Sequence, residues 1–91
     1  MKEWENLLIQ AIRNNPDVQK KLENLMWLDE FLMEAIAKAP QKDHPEMMQA
    51  WTLCIEIARE LGLPEQQGAD WLSYNATSIG KRLGIKPLQP R

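Results

Sequence analysis

The side chains that could carry chemistry are few. His44 is the single histidine and Cys54 the single cysteine, so the usual four-ligand His/Cys zinc site cannot be assembled within one chain. No phosphate-cradling glycine loop occurs either. His44 stands in a helix-capping segment and is expected at the surface. Cys54 falls on the inward stripe of a helix, where a thiol is an inert core group. The remaining candidates are the 13 carboxylates. General acid-base work needs two of them placed at a cleft, and most are spaced as solvent-facing helix charges. Asp29 is the exception, falling between Leu25 and Leu32 on an apolar helix face. A carboxylate there must be paired or hydrogen-bonded. Its expected role is a structural acceptor for an indole, an arginine or a helix N-terminus. A catalytic or recognition role would need a second polar group converging on it, and the sequence offers none. The expectation is a protein that is not an enzyme and needs no metal or cofactor.

Surface recognition is the other chemistry available, and two groups of residues could supply it. Trp27 and Phe31 share one side of a helix with Glu23, Glu30 and Glu34. Aromatic rings set in an acidic rim suit a protein-binding patch. Lys81, Arg82 and Lys86 form the second group. The first 73 residues hold all 13 acids and seven of the 11 bases, a balance of -6, while residues 74–91 hold four bases and no acid. A basic end on an acidic body fits a segment that touches phosphate. It fits equally a solvated tail, about residues 86–91, or a tail docked on the acidic body.

The elements that must position these groups read as helices. Trp4, Leu7, Leu8, Ala11 and Ile12 recur at helical spacing, and Asn15 before Pro16 both ends that helix and caps the next. The second helix, over about 16–39, carries Val18, Leu22, Leu25, Leu32, Met33 and Ile36 on one face, with Trp27, Leu28 and Phe31 elsewhere. A helix apolar nearly all round is buried on more than one side, by its own bundle or by a partner. Asp43 to Glu46 reads as a capping box. It opens a third helix to Leu61, with Met47, Ala50, Trp51, Cys54, Ile55, Ile57, Ala58 and Leu61 inward and Gly62 as its stop. A short fourth helix over 63–74, weakened by Gly68, and a fifth over 76–83, capped by Asn75 and ended by Gly84, complete the set. The fold class is all-α: a compact bundle of four to five helices with short links, one domain over 1–91.

The run YNATSIGKRLGIKP at 74–87 is the most distinctive stretch. Gly80 and Gly84 are four apart, Ile79 and Leu83 share a face, and Ile85 follows the second glycine. A small residue inside a helix admits a close crossing, and a glycine at its end takes the left-handed turn. The run resembles the start of the helix-turn-helix in the C-terminal domain of phage antirepressors of the KilA-C type. That resemblance implies a phage or mobile-element regulator and a DNA-binding second helix. Only Pro87, Leu88, Gln89, Pro90 and Arg91 follow, however, and two prolines in five residues suit no recognition helix of two to three turns. Ile79, Leu83 and Ile85 are then expected as apolar anchors at the end of the bundle.

Composition sets the remaining bounds. With 44% hydrophobic and 26% charged residues the chain has a globular balance. It lacks the run of about 18 apolar residues that a membrane span needs. With one cysteine and no basic-then-apolar leader, a cytoplasmic setting is expected. A chain this short builds only a modest core, so a homodimer would be unsurprising. Two function classes stand. The first is a helical regulator that binds another protein through the acidic face with Trp27 and Phe31, or through Met47 and Met48 if these are exposed, its acidity suiting a basic nucleic-acid-binding partner. The second is a DNA-binding regulator using Lys81, Arg82 and Lys86 on phosphates.

Overall fold

The computed structural model describes residues 3–90, the side chain of Trp4 excepted, so the expectations for Trp4 and Arg91 lie outside the described residues. Four helices follow one another: α1 (Glu3–Arg13), α2 (Pro16–Lys38), α3 (Pro45–Glu60) and α4 (Glu65–Arg82). Helices α2, α3 and α4 pack mutually, and α1 lies against α2.

The α1 to α2 junction forms as its residues dictate. Asn15 is extended, and its Oδ1 accepts from the Val18 amide at 3.2 Å while Pro16 occupies the first turn. Gln19 then reaches back to donate to the carbonyls of Ile12 and Arg13, satisfying two acceptors that the end of α1 leaves open. The expected capping box before α3 does not form. His44, not Asp43, is the N-cap, and no side chain caps the helix. His44 Nε2 instead donates to Ala39 O at 3.0 Å, so the 39–44 link closes on itself and Asp43 stays exposed.

Residues 63–83 depart from the sequence reading. The expected fourth and fifth helices are one helix of 18 residues, and Asn75 is inside it rather than at a cap. The Asn75 side-chain Nδ2 donates to Trp71 O at 2.7 Å, one turn back along the same helix. Continuity follows from Ala69, Leu72, Ala76 and Ile79, which recur at helical spacing across the expected break and are all buried. Their burial outweighs the weak propensity of the Gly, Ser, Asn and Thr residues between them.

Both glycine stops behave as expected. Gly62 and Gly84 take φ of +74° and +73°. Behind Gly84, the Ile85 amide bonds to Gly80 O and the Gly84 amide to Lys81 O. The same pair of bonds forms around Gly62, from Leu63 to Ala58 O and from Gly62 to Arg59 O. These are Schellman closures, which let Leu63 and Ile85 fold back onto the core. No helix follows Gly84 among the described residues, so the ending is helix and turn without a second helix. Residues 85–90 return instead over α2, where the Leu88 amide donates to Glu23 O at 3.0 Å.

The core draws on every helix: Ile9 and Ile12, then Val18, Leu22, Leu25, Met26, Leu28 and Leu32, then Ala50, Cys54, Ile57 and Ala58, with the α4 set above. Several expected core positions are outside. Leu7 is 70% exposed and Ala11 is exposed, because α1 turns Ile9 and Ile12 toward α2. Met33 is 77% exposed, and Ile36 and Met47 are also exposed; Met33 and Ile36 lie beside α4 rather than beneath it. The two glycines inside α4 mark its closest approaches. A Cβ on Gly68 would stand 2.9 Å from the Cβ atoms of Ala58 and Leu63, and one on Gly80 would overlap Met26, with its Cε at 2.7 Å.

Candidate protein-binding surface

The exposed length of α2 carries the aromatic and acidic residues singled out by spacing. Trp27 is half-buried and rests on the core, and Phe31 stacks on it with ring centroids 5.3 Å apart and an interplanar angle of 13°. That separation is within the range of favourable ring stacking. Phe31 is 38% exposed, so the pair is seated on one side and open on the other. A shallow groove of about 660 Å³ runs along it, lined by Trp27, Glu30, Phe31, Met33, Glu34 and Ala37. Trp27, Phe31, Glu30 and Glu34 are therefore brought together.

Glu23 is not part of that groove. It sits a turn earlier, half-buried, where its carbonyl holds the returning tail and its side chain lines the grooves on either side of that tail. Among the basic candidates, Lys81 and Arg82 are exposed in the last turn of α4, where cations complement the helix dipole. Lys86 lies further on, in a groove it shares with Asp17, Lys20 and Glu23. The basic end thus lies against α2, in a setting of mixed charge.

Asp29 finds its partner in α4. Thr77 Oγ1 donates to Asp29 Oδ2 at 3.5 Å, a long bond for a hydroxyl and a carboxylate. Burial pushes the Asp29 carboxyl up to about 6, and the Thr77 contact offsets only part of that shift. The expected structural acceptor is present, but its donor is a threonine, not an indole, an arginine or a helix end. Asp29 opens onto a second groove, of about 460 Å³, between α2 and α4 and lined also by Leu32, Met33, Ile36, Ser73 and Thr77. Sequence reasoning missed this groove, because Ser73 and Thr77 had been assigned to separate short elements. Helical spacing from Ala69 to Ile79 was the signal that would have placed them on one rod.

Cys54 is buried as expected, and burial together with the nearby Asp29 charge pushes its thiol up to about 12. No group of three His, Cys, Asp or Glu side chains that could hold a metal ion occurs among the described residues. None of the described helices is long and apolar enough to cross a membrane. Comparison with protein-family models, curated proteins and solved structures found no match for this chain.

Proposed function

We propose that this chain is a small non-catalytic helical regulator that acts by binding another protein through the α2 face carrying Trp27, Glu30, Phe31 and Glu34. The observation that carries this reading is the Trp27 and Phe31 stack, held on the core and left open to solvent beside two carboxylates. Rigid aromatic groups lose little side-chain entropy on docking and dominate the energy of many interfaces. The acidic rim favours a basic partner, such as a nucleic-acid-binding protein whose phosphate-contacting surface it would cover. A phage or mobile-element origin is the context suggested by the antirepressor-like run at 74–87.

Phe31→Ala tests the reading more cleanly than Trp27→Ala, because Trp27 also packs on the core. The Phe31→Ala chain should keep its helical circular dichroism and lose the partner captured by the unaltered chain in a pull-down read by mass spectrometry. Glu30→Lys with Glu34→Lys should do the same. Capture of the same partner by both variants would sink the proposal.

A second reading, DNA binding through Lys81, Arg82 and Lys86, draws on the exposure of all three near the end of α4. Among the described residues no helix follows Gly84 to read bases. Retardation of duplex DNA at low salt, lost on Lys81→Ala with Arg82→Ala, would revive it.

A further inference from the structure

The strongest unassigned feature outside the aromatic groove is the one on the other side of Met33. Going round α2, the aromatic groove comes first, then the Met33 ridge, then the groove into which Asp29 opens. Met33 lines both and is itself exposed. A partner that covers the Trp27 and Phe31 face and passes over Met33 therefore meets Asp29 next.

The second groove has the makeup of a receptor for an amphipathic cation. Its walls are Leu32, Met33 and Ile36, which suit the methylene stem of a long basic side chain. Its polar end is the Asp29 carboxyl, with the hydroxyls of Ser73 and Thr77 brought alongside by α4. Ser73 Oγ donates to Asp70 O at 2.7 Å, so its oxygen lone pairs remain to accept from an incoming group. Asp29 Oδ1 accepts no hydrogen bond among the described residues, and no described side-chain polar atom is sealed from solvent without a partner. Oδ1 is therefore reachable from the groove. No ion pair joins Asp29 to a cation among the described residues. A half-buried carboxylate with one long hydrogen bond and no counter-charge is a cost to the fold, and an arriving cation would remove that cost.

We propose that the groove between α2 and α4 is a receptor for a lysine or arginine side chain of the protein partner, with Asp29 as the pairing acid and Ser73 and Thr77 as hydroxyl acceptors. The partner's presence rests on the docking reading above; the cation site itself does not. The groups facing Asp29 leave its titration as the control. From α4 come Ser73 and Thr77, which do not titrate near neutrality, and from α3 comes the Cys54 thiol, which stays protonated. Binding therefore needs the Asp29 carboxyl ionised and weakens as pH falls through about 6.

The test uses the full chain and small probes with the side-chain chemistry: n-butylammonium for lysine, n-propylguanidinium for arginine, and neutral n-butanol as control. Each is titrated in two-dimensional amide NMR. At about pH 8 either cation should give saturable shifts at Asp29, Ile36, Ser73 and Thr77, and butanol should not. Affinity should fall by roughly tenfold or more at about pH 4.5, where the carboxyl is protonated. It should fall similarly in Asp29→Asn at about pH 8, while the native amide pattern of that variant shows that it still folds. Equal response to butanol, an unchanged response in Asp29→Asn, or no saturable shift at these residues would each overturn the assignment. None of these outcomes depends on Phe31. Loss of the docking reading through Phe31→Ala and loss of the cation site are thus separate results.

Discussion

Asp29 makes the stability of this fold depend on pH in an unusual direction. Its carboxyl sits near 3.8 when unperturbed and is pushed up to about 6 in the fold. Between those values the folded chain holds a proton that the unfolded chain has released, so stability falls as pH rises and the loss is complete above about 6. A shift of that size corresponds to an upper bound of about 3 kcal/mol, reduced by the carboxyl's access to water. Asp29→Asn is therefore expected to stabilise the chain by about 1–3 kcal/mol at pH 8 and to change little near pH 4. Urea unfolding at the two pH values measures the difference, and an equal effect at both would contradict the account. Cys54, pushed up to about 12, should resist thiol reagents in the folded state and react on unfolding. Labelling rates that rise in step with urea-induced unfolding would bear this out.

At the scale of elements, α4 is held by two close approaches that differ in kind. At Gly68 the obstructing atoms are the Cβ atoms of Ala58 and Leu63, which move only with their backbones. At Gly80 the obstruction is the far end of Met26, a flexible chain, although one that is buried on all sides. Gly68→Ala should then cost about 1–3 kcal/mol, the usual range for forcing extra atoms into a filled core. Gly80→Ala should cost less, and Met26→Ala in the same chain should relieve part of its strain. Urea midpoints for the single and double variants decide the order. Gly84→Ala removes no contact but forces a side chain into left-handed backbone, at a cost of about 1 kcal/mol.

For the whole molecule, the proposed docking depends on the separation of charge more than on the net value of -2. Part of the basic end is already engaged with α2, which leaves Glu30 and Glu34 as the carboxylates beside the open aromatic pair. Capture of a basic partner should therefore weaken as salt is raised past about 0.15 M, where screening shortens to about 8 Å. Circular dichroism should not change over the same range, because the core is apolar. Salt-insensitive capture would point to a contact made by apolar surface alone.

What could be read without coordinates divides along physical lines. Local chemistry was legible in part: Asn15 with Pro16, and the glycines at 62 and 84, act within a few residues of themselves and formed as written, whereas the caps expected from Asp43 and Asn75 gave way to the packing around them. The all-helical class followed from periodicity in the same way. The aromatic and acidic groove was legible because Trp27, Glu30, Phe31 and Glu34 lie on one helix, where spacing alone fixes their neighbours. Glu23 shares their side of the helix but lies outside the groove, where a tail from 65 positions later occupies its surroundings. The second groove was not legible, because Asp29 and Thr77 are 48 residues apart and meet only through the crossing at Gly80. Met33 and Ile36 have the apolar character of core residues, and only their place on the open groove beside α4 leaves them in water.

The contact of Gly80 with Met26 also has a mechanical side. It stands three residues beyond Thr77 and three before Leu83, about 4.5 Å along the helix axis from each. The unbroken helix, pinned there and at Gly68, holds Thr77 and the turn into the tail in a fixed relation to each other. Beyond that turn the Leu88 to Glu23 hydrogen bond closes the tail onto α2, so exchange of the Leu88 amide reports whether the tail stays seated.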